Sequence, residues 1–313
     1  MALPTNFQFS QGSLQDFADC PRRFQLKYIQ RLAWPAVQAE PALENERYMQ
    51  LGATFHRMVQ QFLLGVPAER LAEMAAGDEM LSQWWGNYAQ HGPALSGCAQ
   101  RPEITLSAPM GDYRLVAKYD LVVWPSPPAP SPQPSPKGRG SLDSPLPVGQ
   151  GLGGSGVRGK ITIYDWKTSR KQTRREWLAE KLQTRVYPYL LVRAGAHFIT
   201  PEGGNEGKSI EPEQIEMVYW FANFPNLPER FAYSTEQFAA DEEYITGLID
   251  AIQAIGEEDA PLTDEEWRCK YCLYRSLCNR GVKAGPLDEM EDFDARDEFE
   301  FELDFEQIAE VEY

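Results

Sequence analysis

The spacing of apolar residues along the chain predicts alternating helices and strands. In one stretch these residues recur every three or four positions, which predicts a helix over residues 44–64. The apolar face of this helix is formed by Leu51, Phe55, Met58, Val59 and Phe62. Further helices are predicted at 174–194, at 236–255 and, as one or two short pieces broken at Cys20-Pro21, at 13–30. Runs rich in β-branched and aromatic residues predict strands at 102–108, 113–123, 160–167 and 214–222.

The order of these elements predicts an α/β fold with a mixed central sheet. The first three strands follow one another through short connections once one insertion is set aside, so we expect them to pair antiparallel. The fourth strand follows a helix, and a helical crossover is what parallel pairing requires. We therefore expect three antiparallel strands plus one parallel strand, flanked by helices.

Two segments have a different composition from the rest of the chain. Residues 125–159 are dominated by Pro, Gly and Ser, so we expect a disordered insertion at the tip of a hairpin. Residues 287–313 hold 13 acidic residues and one Arg. This acidic tail is expected to be solvated, to dock on a partner through its aromatic residues, or to occupy a basic DNA groove. The folded domain is then expected to span residues 1–286.

The charge distribution leaves a nucleic-acid partner open. The net charge is −16, of which −12 lies in the acidic tail, so the remaining 286 residues carry only −4. No apolar run approaches the roughly 18 residues of a membrane span, so no membrane association is expected. The start "MALPTNFQFSQGSL" lacks a secretory pattern, and we expect a cytoplasmic protein. In that compartment clustered cysteines bind metal more often than they form disulfides.

Two aspartates and a lysine are candidate catalytic residues. Asp165 and Lys167 are two positions apart in a predicted strand, so both side chains lie on one face. Asp120 precedes Asp165 by 45 residues, which become 10 when the 35-residue insertion is subtracted. At that hairpin distance the two carboxylates repel unless a cation compensates them, and oxygen ligands suit Mg²⁺ or Mn²⁺. An ordinary salt bridge between Asp165 and Lys167 is the alternative.

Further candidates lie on predicted helices and near the C-terminal end. Gln183 and Tyr187 are four residues apart and share a helix face. His56 lies on another predicted helix, where a lone histidine is commonly structural. The stretch "CKYCLYRSLC" supplies three cysteines, Cys269, Cys272 and Cys278. Three thiolates are one short of a four-ligand metal site.

These residues, in this order, resemble the motifs of the PD-(D/E)xK nuclease superfamily, RecB-like branch. That branch includes the AddB nuclease domain and CRISPR-associated RecB-like nucleases. "DWKT" looks like its third motif, and "SQGSLQDFADCPRRFQLKY" looks like its N-terminal Cys-Pro element. One departure is Tyr119, which stands where the family name has Pro. The resemblance covers residues 7–282 and implies a restriction-endonuclease-like core.

The resemblance implies a role for each candidate. Asp120, Asp165, His56 and the backbone carbonyl of Trp166 would hold Mg²⁺ or Mn²⁺. Lys167 would orient or deprotonate the attacking water, and Gln183 and Tyr187 would position the DNA strand. The cluster ligands would be Cys20, Cys269, Cys272 and Cys278. They would hold a 4Fe–4S cluster that joins the two ends of the domain, with zinc as the alternative because four cysteines suit either metal.

A basic run, "KTSRKQTRRE", follows the strand of Asp165 and predicts phosphate contacts, unless it is an ordinary solvated helix start. The predicted DNA-binding residues are Arg170, Lys171, Arg174 and Arg175, extended by Arg22 and Arg23.

We expect a metal-dependent DNA exonuclease of repair or recombination that acts on single-stranded DNA or a free end, with a helicase as partner. The alternatives are a CRISPR spacer-acquisition nuclease with an integrase partner, a non-catalytic iron–sulfur DNA-binding subunit, and a structural zinc protein.

Overall fold

The structure is a computed structural model that describes residues 3–4, 6–33, 40–126, 160–199, 209–256, 258–283 and 285. The predicted insertion, apart from its first two residues, and the predicted acidic tail lie outside the described residues, so both stay predictions. Within the described ranges, no helix combines the length and apolar character that a membrane span needs.

The described part of the chain contains one mixed sheet of six strands. The strands are β1 Gln8–Ser10, β2 Cys98–Met110, β3 Tyr113–Pro125, β4 Ile161–Lys167, β5 Ile215–Phe221 and β6 Glu229–Ala232. Along one edge β3 pairs antiparallel with β2 over its whole length. Its other edge pairs first with β1, in parallel, and then with β4, antiparallel. β5 continues the sheet parallel to β4, and β6 closes it antiparallel to β5.

Helices cover both faces of this sheet. They are α1 Gln11–Asp19, α2 Pro21–Phe24, α3 Glu40–Leu63, α4 Ala68–Ala75, α5 Glu79–His91, α6 Arg175–Glu180, α7 Leu182–Ala194, α8 Ala196–Ile199, α9 Thr235–Gln253 and α10 Glu266–Cys269. One face packs against α1, α7 and α9, with Leu190 and Ile249 in that core. The opposite face packs against α3, α4 and α5, with Phe55 and Trp84 in a second core. Every residue of β4 is buried between the two layers.

The pleat of β3 changes phase at Asp120. Before this residue the odd-numbered Ala117 and Tyr119 belong to the core under α7 and α9, whereas beyond it the even-numbered Val122 does. The neighbouring strand β2 is distorted opposite Asp120. Glu103, the residue of β2 that would face Asp120, has a positive φ of 53°, and the two residues do not pair. A regular strand alternates strictly, so this distortion re-aims the side chains around Asp120.

The predicted mixed sheet flanked by helices is confirmed, and the four expected strands pair in the expected directions. The number of strands differs from the prediction, because β1 and β6 have only three and four residues and leave little periodic signal. The prediction missed α4 and α5. The single helix expected over 174–194 is divided into α6 and α7, because Lys181 adopts an extended backbone with ψ of 139°.

The two ends of the described chain meet in what we call the terminal clasp, formed by residues 16–32 and 258–278. Arg268 donates to Asp19 Oδ1 at 2.6 Å. The amide of Gln25 donates to the carbonyl of Glu258 at 2.8 Å and accepts from the backbone N–H of Ala260 at 2.9 Å. The N-terminal segment is therefore fixed by residues more than 200 positions later in the sequence.

Candidate active site

Asp120 and Asp165 lie side by side on the antiparallel strands β3 and β4. The pairing of these strands ends at Leu121 opposite Tyr164, and the two aspartates are the next residues at that end. Both are buried, with 1% and 0% of their surface exposed. Asp120 Oδ2 accepts a hydrogen bond from the backbone N–H of Trp166 at 2.8 Å. This bond fixes the Asp120 carboxylate against β4.

Asp165, Lys167 and Gln183 form a closed hydrogen-bonded group. Lys167 Nζ lies 3.1 Å from Asp165 Oδ2 and is itself only 2% exposed. Gln183, on α7, donates to Asp165 Oδ1 at 2.6 Å and accepts from Lys167 Nζ at 2.8 Å. A buried ion pair is stabilised by further hydrogen bonds, and Gln183 supplies one to each partner. The salt bridge expected as the alternative is therefore present, but within a larger group.

His56 approaches Asp120 from α3, in the helical layer opposite α7. Its Nδ1 lies 3.2 Å from Asp120 Oδ1. When the Asp120 carboxylate is ionised it can only accept, so His56 Nδ1 is the donor in this contact. A carboxylate on one imidazole nitrogen is the usual arrangement of metal-binding histidines.

The donor chemistry of this site fits a hard divalent cation. The two buried carboxylates lie close to the buried Lys167 ammonium, and the His56 imidazole stands beside them. Carboxylate oxygens suit Mg²⁺ or Mn²⁺, whereas an imidazole is a ligand typical of transition metals, and a divalent cation would offset the excess negative charge. Among the described residues, however, no three His, Cys, Asp or Glu side chains are arranged to hold a metal ion. The carboxylates turn instead to Trp166, His56, Lys167 and Gln183.

Tyr187 lies one turn after Gln183 on α7 but belongs to the core. It is 1% exposed, and its ring centroid is 4.8 Å from that of Tyr119. The hydroxyl of Tyr119 donates to the Tyr187 carbonyl at 2.9 Å. Tyr187 thus supports the strand residue that precedes Asp120, a position that suits support better than contact with DNA.

A hydrogen-bond network that no sequence motif predicts holds the segment after Lys167. Asn223, which follows β5, donates to the carbonyls of Thr168 at 3.2 Å and Ser169 at 2.9 Å. Its Oδ1 accepts from the indole N–H of Trp84 at 2.9 Å. Tyr48, on α3, donates to the same Thr168 carbonyl. No local motif announces these contacts, because each joins segments at least 54 residues apart.

The predicted cationic residues divide into two groups. Arg170, Lys171, Arg174 and Arg175 are exposed on the segment after β4. Arg170 lies over the ring of Tyr48 at 4.5 Å, and Arg175 pairs with Glu229 at 2.7 Å.

Arg22 and Arg23 are instead committed to the terminal clasp. Arg22 pairs with Asp259, and Arg23 pairs with Asp16 and Asp19 at 2.8 Å each. Burial alone would lower the pKa of Arg23, but the two carboxylates outweigh it and raise that pKa. We therefore do not retain Arg22 and Arg23 as phosphate contacts.

The four predicted cluster cysteines all lie within the two segments of the terminal clasp. Cys20 follows α1, and Cys269 ends α10. Burial raises the pKa of the Cys269 thiol, and the nearby thiols of Cys272, Cys20 and Cys278 raise it further. Burial also raises the pKa values of Cys272 and Cys278. The thiols are thus electrostatic neighbours, although no metal-holding arrangement of them is present in the described residues.

Comparison with known families identifies the class of protein. The chain matches the model of the PD-(D/E)XK nuclease superfamily over residues 8–126 and 156–279. These two ranges cover most of the chain and contain every candidate residue discussed above. The chain therefore belongs to the PD-(D/E)XK nuclease superfamily. A search of curated proteins gives no significant match.

Two solved structures are similar to the chain at low identity. One, titled "Crystal structure of SSO0001", has 14% identity and a TM-score of 0.36, covering 87% of this chain and 85% of that chain. The other, a "Putative exonuclease" from Eubacterium rectale, has 9% identity and a TM-score of 0.39, covering 80% and 83%. Both similarities are weak, with TM-scores below 0.5.

Proposed function

We propose that the chain is a metal-dependent deoxyribonuclease that hydrolyses phosphodiester bonds. The observation that supports this best is the buried group of Asp120, Asp165 and Lys167 in a chain of the nuclease superfamily. Removing each charge from water costs on the order of several kcal/mol, so a protein that only bound DNA would gain little from burying three. A chemical role for these groups offsets that cost.

The proposed roles follow from the positions of the side chains. When bound, Mg²⁺ or Mn²⁺ held by Asp120, Asp165, His56 and the Trp166 carbonyl would polarise the phosphoryl group and activate a water. The Lys167 ammonium is placed to donate to that water or to the oxygens on which charge develops. Gln183 keeps Lys167 and Asp165 in register through its two amide atoms. Arg170, Lys171 and Arg174 are exposed where they can contact backbone phosphates.

We further propose an exonuclease that acts in the cytoplasm in repair or recombination, with residues 1–286 as one nuclease domain. The support is the resemblance of its motifs to the RecB-like branch. The sequence shows no complete motor motif, so a helicase partner would supply the free DNA end. The resemblance extends to CRISPR-associated nucleases, and an integrase partner would indicate that role instead.

The test is cleavage of end-labelled single- and double-stranded DNA by anaerobically purified protein with Mg²⁺ or Mn²⁺. Replacing Lys167 removes the positioned ammonium, so we expect Lys167→Ala to lose about 10²- to 10⁴-fold in rate. Lys160→Ala is the matched control, because Lys160 is exposed immediately before β4. Cleavage by Lys167→Ala at the rate of the control would contradict the proposed active site.

We also propose that Cys20, Cys269, Cys272 and Cys278 hold a 4Fe–4S cluster, with zinc as the competing metal. The support is the resemblance of the cysteine pattern to that family and the ion pair between Arg268 and Asp19, the residues next to Cys269 and Cys20. Closing so long a loop would restrict the unfolded chain and stabilise the fold.

Iron, sulfide and zinc analysis of anaerobic protein tests this second proposal. We expect Cys20→Ser to lose visible absorbance and iron and to melt at lower temperature. Cys98→Ser is the matched control, because Cys98 is a free thiol that opens β2. Stoichiometric zinc, or full iron in Cys20→Ser, would reject the cluster.

A further inference from the structure

Two tryptophans from distant parts of the chain meet at the surface. The ring centroids of Trp177, on α6, and Trp267, on α10, are 6.4 Å apart, and their planes are inclined by 37°. They are 38% and 50% exposed, whereas Trp84 and Trp220 are buried in the core. Leaving two indole rings in water forgoes the free energy that covering them would release. Their pairing therefore points to a ligand that covers aromatic surface.

Each of these rings has an arginine beside it. Arg174 Cζ lies 5.5 Å from the ring centroid of Trp177, and Arg268 Cζ lies 4.6 Å from that of Trp267. The acidic neighbours of Trp267 are engaged, because Glu265 pairs with Arg268 and Glu266 pairs with Arg280. Arg268 is itself paired with Asp19 and Glu265, so it supports the ring of Trp267 and does not serve as a phosphate contact. Exposed aromatic rings with an exposed arginine such as Arg174 beside them are typical of surfaces that stack nucleobases.

A short chain of hydrogen bonds links this surface to the candidate active site. Arg268 donates to Asp19 Oδ1 at 2.6 Å, and Gln15 Nε2 donates to the same oxygen at 2.9 Å. Gln15 Oε1 accepts from the backbone N–H of Leu182 at 3.1 Å. Leu182 is the residue before Gln183, which binds Lys167. The two tryptophans therefore lie on the side of the molecule where the C-terminal segment abuts the start of α7.

We propose that Trp177 and Trp267 form a stacking platform for unpaired bases at a single-stranded DNA end and direct that end toward Lys167. A duplex keeps its bases stacked on one another, so it would offer only phosphates to this surface, whereas a single strand offers free ring faces. This inference rests on the proposed function and adds the form of its substrate.

Binding of fluorescent oligonucleotides without added divalent cation tests the platform separately from cleavage. The two probes are an oligothymidylate of about 12 nucleotides and an abasic strand of the same length and charge. We expect wild type to bind the strand that carries bases about tenfold or more tightly than the abasic strand. The Trp177→Ala/Trp267→Ala double variant should lose this preference, and the Trp177→Tyr/Trp267→Tyr double variant should regain most of it.

Tyr244→Ala is the matched control. Tyr244 is 41% exposed on α9 and has Arg185 Cζ 4.7 Å from its ring, so it offers the same chemistry at another place. We expect this variant to bind both probes as wild type does. Equal affinity of wild type for the two probes, or an unchanged preference in the double alanine variant, would overturn the platform.

Cleavage kinetics then distinguish failure of the platform from failure of the proposed function. On single strands the double alanine variant should raise KM and leave kcat close to wild type. Cleavage with an unchanged KM would overturn the platform and leave the nuclease standing. A preference for bases in a protein that cleaves no DNA would overturn the nuclease and leave the platform.

Discussion

At the residue scale, the position of Lys167 depends on residues that never touch it. The carbonyls of Thr168 and Ser169 are bound by the Asn223 amide, and the Thr168 carbonyl also accepts from Tyr48. The carbonyl of Lys167 itself accepts from the backbone N–H of Ala222 at 2.7 Å. The backbone from Lys167 to Ser169 is therefore held by the two residues that follow β5 and by Tyr48 of α3. Its geometry is fixed before any substrate arrives.

This arrangement predicts that Asn223→Asp lowers both stability and turnover. The variant keeps an acceptor for Trp84 but replaces the amide donor with an oxygen that faces two carbonyls. We expect a loss of about 1–3 kcal/mol in the free energy of unfolding and a fall in kcat. Urea unfolding and single-strand cleavage measure the two effects.

Asn87→Asp separates positioning from stability in this experiment. Asn87 donates to the carbonyl of Ala222 at 2.7 Å, a bond of the same kind made by α5. We expect a similar loss of stability with a much smaller change in kcat. Equal falls in kcat for the two variants would mean that Asn223 acts only through stability.

At the scale of elements, Asp241 joins α9 to α7 and to the segment after β6. Its buried carboxylate accepts from Tyr233 Oη at 3.0 Å, Gln237 Nε2 at 2.7 Å and Arg185 Nη1 at 3.2 Å. Burial raises the pKa of Asp241 despite the donors around it. The folded protein therefore holds this proton more tightly than the unfolded chain does.

The raised pKa predicts how Asp241→Asn compares with wild type as pH changes. The contribution of this proton to stability is complete below the unfolded pKa of about 3.9 and is lost as pH rises through the folded pKa. As pH rises from about 4 through the folded pKa, wild type should therefore lose stability relative to Asp241→Asn. Urea midpoints of both proteins across this range measure the difference, and parallel pH profiles would contradict it.

Elements with strong periodicity, and the residues fixed by them, were predictable. Strand alternation put Asp165 and Lys167 on one face, and the hairpin distance put Asp120 beside them. The phase change of β3 was not predictable, because it depends on a distortion at Glu103 in the next strand. The contacts of Asn223 and the pairing of Trp177 with Trp267 were not predictable either. Each joins segments that are far apart in the sequence, and periodicity predicts only local structure.

At the scale of the whole molecule, the terminal clasp ties the sheet to the C-terminal segment. Gln25 is central to it, because its buried amide also accepts from Arg22 at 2.6 Å. We expect Gln25→Leu to leave the Glu258 carbonyl and the Ala260 N–H without their partner, at a cost of about 1–3 kcal/mol for each group that stays buried. Urea unfolding measures the loss, and limited proteolysis shows whether residues 258–278 detach first.

Gln100→Leu is the matched control for this substitution. Gln100 has a buried Oε1 that accepts no hydrogen bond within the described residues. The same change of side chain should cost much less there. An equal loss of stability in both variants would mean that Gln25 contributes by packing and not by joining the two segments.

The terminal clasp also imposes an order of events during synthesis, because its two halves are far apart in the sequence. Cys20 leaves the ribosome 249 residues before Cys269. Because synthesis proceeds at roughly 5–20 residues per second, about 12–50 s pass between the synthesis of Cys20 and that of Cys269. The strands of Asp120, Asp165 and Lys167 emerge within that interval. A nascent chain therefore contains the strands of its catalytic candidates before residues 258–278, the second half of the terminal clasp, have been synthesised.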